Sequence, residues 1–161
     1  MAATKTTSST RTSTRAPDAI AMLRADHEKV LEMFARYEGL RTDGQKEKLA
    51  REICKEVSVH AQLEEEVFYP AVRAAIEDDA LMDEADVEHR SAEDLCAQLQ
   101  ESSAGDELFD ARIKVLGEYI KHHIKEEQNE MFVQVRKSEL DLKALAEQMR
   151  ARKQVLLSER H

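Results

Sequence analysis

The chain has 161 residues, of which 4% are aromatic, and it contains no tryptophan, four glycines and two prolines. This composition favours helices and argues against a β-sandwich or a β-barrel. The formal net charge is −9; residues 1–15 carry +3, so the remaining residues carry −12 and are a poor partner for nucleic acid or an anionic membrane. No apolar run reaches the roughly 20 residues that span a bilayer, and a secretory h-region is missing, so the expected compartment is the cytoplasm.

Three segments of the chain differ in composition. Residues 1–15 are rich in Ser and Thr and almost lack apolar side chains, so they are predicted to form a disordered, basic tail. Residues 16–137 show apolar residues that recur every three or four positions, which predicts an all-α, antiparallel, up-down-up-down four-helix bundle. Residues 138–161 are predicted to form an additional C-terminal helix and tail.

The first two helices have recognisable ends. We expect the first helix to start near Pro17, because proline suits the first helical turn, and to end at Gly39. The segment from Thr42 to Gln45 resembles a capping box and predicts the start of the second helix. Pro70 should kink or end that helix near its far end, because proline lacks the backbone N–H group.

The remaining helices follow the same pattern. The third is predicted to run from about residue 80 to residue 102, and Asp106 is predicted to cap the fourth. Residues 138–141 look like another cap, and a fifth helix is predicted from residue 140 to about residue 157. Because the connections are short, neighbouring helices of the bundle are expected to be antiparallel.

Histidines and glutamates interrupt the apolar stripes of the four bundle helices. Each helix places one histidine in the middle of its stripe: His27, His60, His89 and His123. Two of these histidines are followed by a glutamate on the same helix face, which gives the pairs His60–Glu64 and His123–Glu127. A buried carboxylate is costly unless it is paired or bound to a metal, and imidazole with carboxylate suits Fe, Mn, Zn or Co. The pattern therefore predicts a metal site inside the bundle.

The site residues also repeat along the chain. His27 precedes His89 by 62 residues, His60 precedes His123 by 63, and Glu64 precedes Glu127 by 63. The flanking segments VHAQLEEEVF and HHIKEEQNEM fit the same register. A helical pattern alone does not require this repeat. We therefore predict two helical hairpins, each of which supplies half of a two-metal centre.

Other polar residues are weaker candidates for the site. Glu93 follows His89 by four residues and is either a further metal ligand or a half-exposed helix residue. His122 and Glu126 have the same spacing, but the helix stripe on which they lie is less apolar. The internal repeat also matches His123 and Glu127 instead of these two residues. Glu65 is among the acids that we predict to be solvated surface.

Four segments resemble the hemerythrin-like HHE cation-binding domain: ADHEKV, VHAQLEEEVFYP, VEHRSAEDL and HHIKEEQNEMF. The resemblance runs from about Asp18 to Arg136, and the second segment is the most specific. It implies a four-helix bundle with a non-haem pair of iron ions, Fe²⁺ or Fe³⁺, bridged by an oxo or hydroxo group. By position, it implies ligand roles for His27, His60, Glu64, His89, His123 and Glu127. Mn or Zn is an alternative, since such donor sets accept several metals.

The chain departs from the oxygen-carrying hemerythrins at two positions. Those proteins have a second histidine in the third helix, where this chain has Glu93. Their last carboxylate is an Asp that follows its histidine by five residues, whereas in this chain Glu127 follows His123 by four. The added negative charge should favour ferric iron. A ferritin-like carboxylate bundle is the second choice of architecture, but it needs a Glu-x-x-His motif that this sequence lacks.

The resemblance therefore implies a protein that binds or senses O2 or NO through its iron pair. Two other function classes stay open. One is a redox enzyme that acts on peroxide, as a peroxidase or catalase does, or that reduces NO. The other is an iron storage or homeostasis protein. A metal-free interaction bundle is the structural alternative. The sequence indicates no nucleic-acid or membrane partner, and it does not identify a protein partner.

Overall fold

The computed structural model describes residues 16–159, and the predicted tail, residues 1–15, lies outside this range. The described residues form helices and no strands, so the predicted all-α class and bundle fold are confirmed. We number five helices: α1 (Ala19–Glu38), α2 (α-helix Asp43–Leu63, π-helical turn Glu64–Phe68, α-helix Tyr69–Ala75), α3 (Asp79–Gln100), α4 (α-helix Phe109–Glu126, π-helical turn Glu127–Met131, α-helix Phe132–Lys137) and α5 (Leu142–Glu159). Within this range, no helix is long and apolar enough to cross a membrane.

Side-chain caps explain where several helices begin. The Thr42 hydroxyl accepts the N–H of Gln45 at 3.3 Å, which confirms the predicted cap of α2. Asp18 caps α1, so this helix begins at Ala19 and not at Pro17. Asp141 likewise accepts the N–H of the third residue after it at 3.1 Å, ahead of α5. Each cap satisfies an N–H group that the first helical turn leaves without a backbone partner.

The structure corrects two details of the predicted helix boundaries. Asp106 does not cap α4: its carboxylate accepts the N–H of Ser103 at 2.8 Å within the preceding turn, and α4 begins at Phe109 without a side-chain cap. Of the two outcomes predicted at Pro70, a kink or an end of the second helix, the end is wrong, because the helix continues to Ala75. Pro70 lies in the first turn after the π-helical turn, where a missing N–H group is tolerated.

The apolar core consists of two clusters that lie on either side of the predicted site residues. One cluster joins the ends of α1, α2, α3 and α4 to α5, and its fully buried members include Phe68, Phe132 and Met149. The other lies at the opposite end and includes Ile53 and Leu116. Along the chain, each predicted ligand histidine of the four bundle helices lies between residues of one cluster and residues of the other. The polar layer is therefore enclosed by apolar side chains at both ends.

Helix α5 packs across α1 and α2. Four of its residues are buried: Leu145, Ala146, Met149 and Leu156. They belong to the same cluster as Phe68, which lies in the π-helical turn of α2. Helix α5 is therefore part of the core that supports the site, although it lies outside the four-helix resemblance.

We expect Met149→Ala to lower the free energy of unfolding by about 2–5 kcal/mol, because Met149 is 0% exposed and its truncation leaves a cavity. Val155→Ala is the matched control on the same helix: Val155 is 43% exposed, so its truncation should change stability by less than about 0.5 kcal/mol. Urea denaturation followed by circular dichroism measures both values. Equal effects of the two variants would contradict the packing of α5.

Candidate metal centre

Six of the seven predicted site residues converge at the centre of the bundle. Their ligand atoms form two overlapping groups, His27–His60–Glu64–Glu127 and Glu64–His89–His123–Glu127, in each of which the atoms lie within 4.8 Å of one another. Both groups contain the same two glutamates. The arrangement therefore has two cation-sized positions, each with its own pair of histidines, and two carboxylates between them.

The distances between the donor atoms show how the two glutamates are shared. Glu64 Oε1 lies 3.0 Å from His60 Nε2 and 3.3 Å from His89 Nε2. Glu127 Oε1 lies 3.3 Å from His27 Nε2, and its Oε2 lies 3.0 Å from His123 Nε2. Each carboxylate thus contacts one histidine from each of the two pairs. The two glutamates are 0% and 1% exposed, so solvent does not compensate their charge.

A second layer of side chains fixes the orientation of the histidines. Each Nδ1 donates a hydrogen bond to a side-chain oxygen from the adjacent helix: His27 to Gln128 (2.9 Å), His60 to Asp26 (3.1 Å), His89 to Glu65 (3.1 Å) and His123 to Glu88 (3.2 Å). Because these oxygens can only accept, each Nδ1 carries a proton, so in the neutral imidazole the lone pair of Nε2 faces the centre. This outer layer is typical of histidines that bind metals.

The sequence analysis missed this outer layer, although a signal for it exists. Asp26 and Glu88 each precede a ligand histidine by one residue, and Glu65 and Gln128 each follow a ligand glutamate by one residue. These four residues therefore share the 62- and 63-residue repeat of the ligands. Glu65, which we predicted to be solvated surface, is 40% exposed in its side chain and still accepts from His89.

The buried donor atoms test whether the residues fit a metal pair. Within residues 16–159, no hydrogen-bond partner is found for His27 Nε2, His60 Nε2, both carboxylate oxygens of Glu64 or Oε1 of Glu127, and all of these atoms are buried. His89 Nε2 and His123 Nε2 face each other at 3.2 Å. Buried polar atoms normally have hydrogen-bond partners or bind an ion. Cations between these atoms satisfy them all, so the donor set fits metal binding.

Each of the two ligand glutamates begins a π-helical turn. The N–H of Tyr69 bonds to the carbonyl of Glu64, and the N–H of Phe132 bonds to that of Glu127, in both cases five residues apart. Such turns recur at functional sites. Because the wide turn accommodates an extra residue, the side chain five positions after each glutamate returns to the face that the glutamate occupies. Tyr69 and Phe132 therefore both reach the centre.

Tyr69 and Phe132 are equivalent in the repeat but differ chemically. The Tyr69 hydroxyl donates to Glu127 Oε2 at 2.6 Å and lies 3.2 Å and 3.3 Å from Nε2 of His89 and His123. Phe132 instead stacks on His27, with ring centroids 6.0 Å apart and the planes 5° from parallel. Burial, followed by the charges of Glu127 and Glu64, raises the pKa of Tyr69 well above its usual value, so the phenol keeps its proton. The sequence analysis assigned Tyr69 no role.

Glu93, the seventh predicted site residue, belongs to neither group and is exposed on α3. A third group of close donor atoms lies on the surface of α3 and α4 and includes His122 and Glu126. His122 is 67% exposed in its side chain, and its Nε2 lies 3.5 Å from Glu126 Oε2. The repeat therefore separates the buried pair of α4 from the exposed His122 and the half-buried Glu126.

The buried carboxylates govern the protonation of the histidines. Burial alone lowers the pKa of His60, but the charge of Glu64 and the hydrogen bond to Asp26 raise it to about 10. Burial likewise lowers the pKa of His89, whereas the neighbouring carboxylates of Glu64 and Glu65 raise it to about 9. Protons and metal ions therefore compete for the same nitrogen atoms at neutral pH.

An apolar cavity of about 30 Å³ adjoins the centre. All four ligand histidines line it, together with apolar side chains that include Val30, Val57, Ala92, Ile120 and Ile124. The cavity wall is largely apolar and offers room for a molecule of a few atoms.

Comparison with known proteins shows the family of this chain. The hemerythrin HHE cation-binding domain matches residues 18–135, a range that includes all six converging candidate ligands. The chain belongs to this family. The crystal structure of a hemerythrin HHE cation-binding domain-containing protein from Mycobacterium kansasii has a TM-score of 0.76 and 21% identity, and the match covers 89% of this chain and 90% of that one. This likeness shows the same fold.

A second relative is much longer than this chain. It is a DNA nickase from Nostoc sp., 26% identical over 115 residues, and the match covers 71% of this chain but 32% of the nickase. The chain thus spans about a third of that protein's length. As in the family, the His and Glu groups described above can hold metal ions.

Metal binding by this centre should release protons. Because the pKa values of His60 and His89 are about 10 and about 9, both histidines carry an extra proton at pH 7.5 in protein stripped of metal. A ligand histidine must be neutral, so we expect release of about two or more protons per chain and an affinity that rises with pH up to about pH 10, the higher of the two pKa values. Calorimetry in buffers with different ionisation enthalpies measures the number. Metal binding without proton release would contradict the assignment of His60 and His89 as metal ligands.

Proposed function

We propose that the chain holds two iron ions. The observation that carries this proposal is that both ligand groups share Glu64 and Glu127. Each ion would have its own histidine pair, His27 with His60 and His89 with His123, and the two carboxylates would bridge the ions. Nitrogen and oxygen donors of this kind suit iron, although Mn and Zn accept similar sets.

We further propose that the centre binds or senses O2 or NO. Bound ferrous iron supplies electrons and an open coordination position for such a ligand. The chain's own residues supply the surroundings: the apolar cavity next to the four histidines admits a small neutral molecule and disfavours water. The Nδ1 hydrogen bonds keep the imidazoles in fixed orientations, so little reorganisation is needed when a ligand enters.

A redox enzyme that acts on peroxide or NO is the second candidate, and Tyr69 favours it. Turnover of these substrates requires proton transfer, and the Tyr69 hydroxyl is a buried donor 2.6 Å from Glu127 Oε2. An iron storage role has no comparable support from the residues described. We do not propose nicking of DNA, because this chain spans about a third of the nickase relative and carries a net charge of −9.

Neighbouring histidines of α4 provide a matched test of the metal pair. After anaerobic loading with Fe(II), we expect two irons per chain in the wild-type protein and in His122→Ala, because His122 is 67% exposed. We expect His123→Ala to lose at least one of the two irons, because His123 is a buried ligand. Metal analysis gives the iron content. Optical spectra are recorded before and after air exposure, and we expect near-ultraviolet charge-transfer bands to appear after exposure.

The wild-type iron content decides the outcome of this test. Fewer than one iron per chain would contradict the proposal. More than two irons per chain would indicate storage instead. Equal losses from His122→Ala and His123→Ala would show that the buried position of His123 is not what matters.

Tyr69→Phe separates binding from turnover. The substitution removes only the hydroxyl, so we expect the iron content to stay at the wild-type level. If the protein is an enzyme, loss of this proton donor should slow peroxide or NO consumption about 100-fold or more. Stopped-flow measurements of the loaded wild-type and variant proteins test this. Stoichiometric reaction without turnover in the wild-type protein would favour binding or sensing.

A further inference from the structure

The two metal positions have different charges around them. At the His27/His60 position, the outer partners are the neutral amide of Gln128 and the carboxylate of Asp26. Asp26 is itself paired, because its Oδ1 accepts from Lys153 Nζ at 2.7 Å. The outer charges of this position therefore cancel.

The His89/His123 position lacks such neutralisation. Its outer partners are the carboxylates of Glu65 and Glu88, and within residues 16–159 no lysine or arginine forms an ion pair with either of them. Glu88 Oε2 does lie 3.5 Å from His122 Nε2, but that imidazole also faces Glu126. This position therefore carries two more negative charges than the His27/His60 position.

Two further contacts add to the difference. The Arg24 guanidinium lies 5.7 Å from the centroid of the Phe132 ring, which stacks on His27, so a second cation is separated from His27 by one aromatic ring. The uncharged Tyr69 hydroxyl lies beside His89 and His123, so the corresponding contact at that position brings no second cation. Uncompensated carboxylates stabilise a more highly charged ion, and carboxylates bonded to Nδ1 make the imidazole a stronger donor.

We propose that the His89/His123 position selects the trivalent or more oxidised ion and the His27/His60 position the divalent ion, with Lys153 as the residue that sets the difference. This inference rests on the proposed two-metal function. Lys153 comes from α5, beyond the residues 18–135 that match the family. The C-terminal helix thereby gains a role at the centre in addition to packing.

Gallium and zinc test this preference without redox chemistry, since Ga(III) and Zn(II) keep their charges. Wild-type protein is loaded with both ions, and crystals are measured at both absorption edges. We expect gallium at the His89/His123 position and zinc at the His27/His60 position, with a preference of about tenfold or more, as outer-layer partners usually contribute. Equal mixtures at both positions, or the reverse order, would overturn the inference. Absence of metal from both positions would overturn the two-metal proposal itself.

A charge-exchange variant gives the second measurement. Lys153→Met, Glu65→Gln and Glu88→Gln together leave one negative charge beside His60 and none beside the other position, so the preference should reverse. These side chains are partly exposed, at 29%, 40% and 19%, which favours folding of the variant. Lys153→Met alone should weaken the wild-type preference. An unchanged preference in either variant would refute the role of the outer charges.

The matched control is Arg152→Met. Arg152 lies next to Lys153 on α5 and forms an ion pair with Glu66 on the surface of α2, so it helps to dock the helix without contacting Asp26. We expect this variant to keep the wild-type preference. A change as large as that of Lys153→Met would show that docking of α5, and not the charge of Lys153, sets the preference.

Discussion

The burial of two carboxylates, Glu64 and Glu127, is the constraint on which the rest of the structure depends. At 0% and 1% exposure they have lost their hydration, and an uncompensated charge in an apolar interior is very unfavourable. The fold meets this demand by surrounding them with the imidazoles of four helices and by holding each imidazole with an outer partner. The two apolar clusters at the ends of the bundle keep water away from this polar layer.

The convergence of the six candidate ligands could be predicted from the sequence because they lie on a regular pattern. Periodicity places His60 and Glu64 on one face of a helix, and the internal repeat distinguishes His123 from the exposed His122 beside it. Glu93 has the same spacing from His89 but is exposed, because spacing along one helix does not determine how far that face turns toward the centre.

Other features could not be predicted because they depend on contacts between helices. The contact of Lys153 with Asp26 joins residues 127 positions apart, and nothing local in the sequence indicates it. The role of Tyr69 depends on a π-helical turn, which has no simple composition signal. The beginning of α4 at Phe109 was missed for a different reason, since Asp106 satisfies a turn and not the helix.

The wide turns after the two glutamates constrain the length of the chain as well as its residues. Each turn accommodates one residue more than a regular α-helical turn, in α2 at Glu64–Phe68 and in α4 at Glu127–Met131. Deleting one residue there would restore a regular helix and rotate everything beyond it by about 100° relative to the glutamate. Single-residue deletions in these two segments should therefore be tolerated far less well than substitutions, and homologous chains should align there without gaps.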